Sequence, residues 1–77
     1  MSEQGDPVSD STYHVIELIG SSSDSWELAA QNAVREAAKA YNDLRVAEVV
    51  EMDVLIEDGM IIAFRTKLRL SYKSNGD

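Results

Sequence analysis

The chain is predicted to be an α+β protein in the order β-α-β-β, a three-stranded antiparallel sheet with one amphipathic helix on one face. Three observations carry this. Two runs of residue-by-residue alternation, VAEVVEMDVLI and MIIAFRTKLRLSY, flank Glu57-Asp58-Gly59, which is the pattern of a β-hairpin. Between residues 26 and 41 apolar side chains recur at helical spacing. A β-branched run, YHVIELI, precedes them at 13–19.

Residues 1–12 are polar and acidic and hold the single proline, Pro7, so a loose arm outside the domain is expected there. Tyr13 to Ile19 forms the first strand, and Gly20 with Ser21, Ser22 and Ser23 should end it as a loop. Asp24-Ser25-Trp26-Glu27 has capping-box spacing; Ser22 is an equally good cap. The helical stripe is Trp26, Ala29, Ala30, Ala33, Val34, Ala37, Ala38 and Tyr41, about five turns. Alanine buries little area but lets a helix approach a sheet closely. Trp26 reads as a packing anchor more readily than as a ligand platform. Asn42-Asp43 breaks the helix.

The hairpin then occupies 46–72, with Gly59 supplying the positive φ that a tight turn needs. Its runs are roughly twice the usual strand length, so it should protrude and find partners. A regular register places Ala47 opposite Leu70, Val49 opposite Leu68 and Leu55 opposite Ile62 beneath the helix. The other face then holds Val46, Glu48 opposite Arg69, Val50 opposite Lys67 and Met52 opposite Arg65. That mixture suits a surface meeting another subunit. The domain spans 13–73, with a tail at 74–77.

A chain of 77 residues allows one domain and buries only roughly 60% of its unfolded surface. Cysteine is absent, which excludes a disulfide framework and thiolate metal sites; self-association is the remaining common remedy. With 14 acidic against 7 basic residues, the net charge of −7 disfavours nucleic acid and anionic membranes as partners. No apolar run nears the ~20 residues that span a bilayer, and the first residues lack signal-peptide regions. A cytoplasmic protein is expected.

Tyr13-His14-Val15-Ile16-Glu17-Leu18, Gly20-Ser21-Ser22, Ser25-Trp26-Glu27 with Ala29-Ala30, Val46-Ala47-Glu48-Val49, Asp58-Gly59 and Leu70-Ser71-Tyr72-Lys73 occur in that order. In this the chain resembles the dodecins, small β-α-β-β proteins that assemble as hollow dodecamers and bind flavins without catalysis. The resemblance covers Tyr13 to Lys73. It implies a homododecamer with helices outside, a hairpin at subunit contacts, and a flavin such as riboflavin, FMN or FAD as the family ligand. The flavin pocket, by family position, falls at Val46 and Arg65, where flavin binders carry a stacking tryptophan and a hydrogen-bonding glutamine. Valine has no π-face, and lost stacking is worth ~1–3 kcal/mol. Arg65 retains a guanidinium plane able to stack or pair. An arginine that some members place near the flavin phosphate falls at Asp53, whereas Lys73 keeps a position often basic and is a candidate anion contact. Ser25-Trp26-Glu27 and Arg45-Val46-Ala47 look closer to the calcium dodecins, so calcium is the alternative ligand.

Glu51, Asp53, Glu57 and Asp58 are oxygen donors close enough in sequence for a hard cation if a neighbouring subunit adds ligands; the simpler reading is a solvated acidic turn. Glu48 with Arg69 is a candidate subunit-facing pair, or a cross-strand ion pair that sets register. Arg65, Lys67, Arg69 and Lys73 neutralise the acidic strand or face an anionic ligand. His14, the single histidine, makes neither metal cluster nor triad. A non-enzymatic binding or storage protein is expected, with a purely structural shell as the other possibility.

Overall fold

The computed structural model describes residues 12–73. The expected tail at 74–77 and all but the last residue of the expected arm at 1–12 lie outside them. The elements are β1 (Tyr13–Ser22), α1 (Trp26–Ala38), β2 (Leu44–Glu57) and β3 (Met60–Lys73), in the β-α-β-β order read from the sequence. Strand order in the sheet is β1-β3-β2, and β3 is antiparallel to both neighbours. It follows that β1 and β2 run parallel, with α1 as the crossover between them and β3 inserted in the gap.

The first strand is longer than expected. It runs through Gly20 to Ser22 because Gly20 serves a close approach there, not a loop. The residue is buried in the sheet, and a Cβ on it would stand 1.8 Å from the Ala29 carbonyl oxygen and 3.0 Å from the Ala33 Cβ. The alanine stripe and Gly20 are two sides of one contact, which lets the helix axis sit close over β1.

The helix is shorter than expected, 13 residues. Its N-cap is Ser25, whose hydroxyl accepts from the Leu28 N–H at 3.0 Å, while Asp24 is held by its own N–H on the Ser22 hydroxyl at 2.9 Å. At the other end, the Ala40 and Tyr41 N–H groups both turn back onto the Ala37 carbonyl. Tyr41 thereby leaves the helix and packs its ring on Tyr72 at 4.8 Å. Asp43 follows at φ 61, the left-handed conformation that short polar residues tolerate.

The core is small. Ala29, Ala33, Ala37, Leu68 and Leu70 are buried, edged by Ile16, Leu18, Ala30, Val34, Tyr41 and Leu44. Thr66 is buried too, its hydroxyl satisfied by donating to the Trp26 carbonyl at 2.9 Å. A helix of this length covers ~20 Å, while 14-residue strands extend more than twice that. The distal hairpin therefore projects past the helix. The extents of 56 × 25 × 15 Å and the radius of gyration of 16.0 Å record this, against about 11 Å for a compact chain of the same length.

Candidate functional site

The hairpin register holds near the helix and again at the turn, where Glu57 faces Met60, and fails between them. Ala47 faces Leu70, Glu48 faces Arg69 and Val49 faces Leu68 as expected, but a bulge follows, and Glu51 faces Lys67, Met52 faces Thr66, and Asp53 faces Arg65. The expected pairs Val50–Lys67, Met52–Arg65 and Leu55–Ile62 do not form; Leu55 lies opposite Ala63. One extra residue on β2 shifts the pairing from Glu51 to Leu55 by one place and so exchanges the faces of those side chains, and a second irregularity between Leu55 and Ile56 restores the regular pairing at the turn. The result is that β2 presents Glu48, Glu51 and Asp53 on the face away from the helix.

That face carries a ladder of ion pairs. Arg65 donates from Nε and Nη2 to the two Asp53 carboxylate oxygens, both at 2.7 Å. Lys67 Nζ lies 3.7 Å from Glu51, and Arg69 sits between two carboxylates, 3.0 Å from Glu17 on β1 and 3.5 Å from Glu48 on β2. The Arg65 hydrogen bond holds the Asp53 carboxyl below its ordinary range, and Asp53 raises Arg65 in turn. Arg45 lowers Asp43 in the same way at the sheet base. All are exposed pairs and add little stability singly; what the ladder fixes is register and face.

Trp26 behaves as an anchor. Its ring meets Phe64 edge-on at 5.0 Å, and its Nε1 donates to the Asp53 carbonyl at 3.0 Å. Asp53 is thus held at both ends, by the indole through its backbone and by Arg65 through its side chain. His14 stacks on Tyr72 at 5.3 Å, an ordinary strand contact.

Val46 and Arg65 share the face away from the helix, but one subunit does not bring them together. Val46 lies opposite Ser71, and the six residues from Ser71 to Arg65 along β3 span roughly 20 Å. Lys73 closes β3, its N–H on the Asp43 carbonyl at 3.3 Å. The four candidate cation ligands are equally dispersed. Glu51 and Asp53 are engaged by Lys67 and Arg65, Glu57 ends β2, and Asp58 stands in the turn at φ 52. Among the described residues no group of three or more His, Cys, Asp or Glu converges on a metal position. A single subunit therefore fits neither a calcium cage nor a flavin sandwich.

The dodecin family model matches residues 12–75. The chain belongs to the dodecin family. A curated relative from Mycobacterium tuberculosis, calcium dodecin, is 44% identical over 63 residues, which cover 82% of this chain and 89% of the relative. The structure of dodecin from Streptomyces coelicolor superposes with a TM-score of 0.82 at 33% identity, covering 87% of this chain and 96% of the other. The structure of the calcium-chelating calcium dodecin of M. tuberculosis, described as having a novel calcium-binding site, gives a TM-score of 0.76 at 42% identity over 83% and 91% of the two chains. Dodecin geometry here thus comes with a ladder that a regular register misses. Charge spacing was the available signal: Glu48, Glu51 and Asp53 match Arg69, Lys67 and Arg65 in opposed pairs only if β2 holds one extra residue. No helix among the described residues is long and apolar enough to cross a membrane.

Proposed function

We propose that this dodecin is a non-enzymatic, self-assembling binding protein, a homododecameric shell that takes a divalent cation such as calcium in preference to flavin. The observation that carries the choice of ligand is the Asp53–Arg65 pair. Arg65 spends two donors on Asp53, and the platform position is Val46, so the family's flavin contacts are both weakened. Glu57 and Asp58, by contrast, make no ion pair within the described chain and stand at the projecting tip. A shell multiplies the −7 charge of each chain, and bound cations relieve that self-repulsion. Kinship with a protein named calcium dodecin supports the same reading. The flavin reading keeps one support, the shared face of Val46 and Arg65, which a second subunit could bring together.

Titration of purified, refolded protein tests the choice. Calcium is expected to raise the thermal midpoint of the wild type, with the shift lost in Glu57→Gln/Asp58→Asn, and FMN fluorescence should stay unquenched at micromolar protein. Stoichiometric quenching of FMN would instead make it a flavin buffer. If neither ligand registers, the shell is structural.

A further inference from the structure

The rungs of the ladder are not equal. Lys67 meets Glu51 at 3.7 Å, and Arg69 divides itself between Glu17 at 3.0 Å and Glu48 at 3.5 Å. Arg65 instead gives two hydrogen bonds, from Nε and Nη2, to the two oxygens of Asp53, both at 2.7 Å. That is the fork by which a guanidinium recognises a free carboxylate or phosphate. Among the described residues, Asp53 is also the one acid of the ladder held by a side chain from α1, through the Trp26 indole N–H on its carbonyl at 3.0 Å. The pair is open to solvent, its side chains 37% and 46% exposed, so it adds little stability. Its larger consequence is chemical, since it decides what Arg65 can offer a ligand.

We infer that Asp53 is the internal occupant of an anion site: it takes the place on Arg65 that a ligand's phosphoryl or carboxylate group would take, and so turns this face away from anions. The inference deepens the choice of cation over flavin proposed above, rests on that reading for its functional sense, and names the residue responsible. Arg65 and Lys67 are alternate residues of β3, so both lie on this face, about 7 Å apart. Without the Asp53 carboxylate they form a two-cation clamp whose span a diphosphate can bridge. With it, the remaining N–H groups of Arg65 belong to a neutralised guanidinium, and an anion there would stand beside the carboxylates of Asp53 and Glu51. The site is therefore built and self-occupied, and Asp53 is its specificity-determining residue.

Pyrophosphate tests this, titrated by calorimetry into the full chain in calcium-free buffer at fixed ionic strength. Asp53→Ala removes both acceptor oxygens and keeps the carbonyl that Trp26 holds. It should bind pyrophosphate at least ~10-fold more tightly than the wild type, the worth of one charge-assisted hydrogen bond returned to the ligand. Asp53→Ala/Arg65→Gln should lose that gain. Glu27→Gln removes the same charge and frees no cation, since Glu27 makes no ion pair among the described residues; it should stay within about twofold of the wild type, because exposed charges at a distance are screened. A wild type that binds as tightly as Asp53→Ala overturns the inference, as does a gain that survives the loss of Arg65 or is matched by Glu27→Gln. Asp53→Thr, better suited to a strand, replaces Asp53→Ala where the latter fails to fold. The calcium-induced thermal shift is read on the wild type alone, so its absence defeats the cation reading without moving the pyrophosphate result.

Discussion

At Gly20 the absence of one methyl group sets the distance between helix and sheet. The residue makes no positive-φ turn; its role is the space it leaves for the Ala29 carbonyl and Ala33. A methyl at 1.8 Å from a backbone oxygen can be relieved only by moving α1, which would loosen the contact of Ala29, Ala33 and Ala37. Gly20→Ala is accordingly expected to cost about 3 kcal/mol, the upper end of overpacking penalties, measured as a lowered urea midpoint with unchanged slope. Helix propensity offers no competing effect, since the residue is in a strand. A midpoint within experimental error of the wild type would mean that the helix has slack at this point.

Each element's existence was legible in the sequence, and its ends were less so. Alternation identified both hairpin strands, and alanine periodicity identified the helix. Ser25 shows why boundaries escaped: Asp24 and Glu27 have box spacing, but the chain enters the helix one residue later, with Ser25 extended at φ −167 and its hydroxyl on Leu28. Ser25→Ala should therefore destabilise by about 1 kcal/mol, and Asp24→Ala by well under half that; equal losses by urea titration would restore the Asp24 cap. Gly20 misled for a related reason, because a glycine demanded by tertiary packing looks the same in sequence as one that ends a strand. The bulge after Val49 had the largest consequence. Alternation slips by one place at Val49-Val50, two adjacent apolar residues before Glu51, Met52 and Asp53 resume it, and the requirement that three acids meet three bases agrees in placing the extra residue there. The charged candidates stand on the sheet surface, yet their pairing, which decides whether Arg65 or Asp53 has anything to offer a ligand, depended on that one insertion.

At the scale of the whole molecule, the subunit is long, thin and poorly filled. Among the described residues its buried apolar core is three alanines and two leucines and its distal hairpin is covered by no helix, and no disulfide is available to offset the lost entropy. On the proposed dodecameric reading such a chain owes most of its stability to its copies, and mass action turns that into a measurable slope. For a dodecamer unfolding to single chains, each tenfold rise in protein concentration adds about 1.2 kcal/mol per subunit, against about 0.7 for a dimer and nothing for a monomer. With a urea slope near the low end for small proteins, the dodecamer's midpoint should move by about 1 M for that tenfold change. The slope separates three architectures without assuming any interface. A value near the dimer's would confine assembly to pairs of subunits, whereas the larger value requires every subunit to meet several neighbours, as closure of a shell demands.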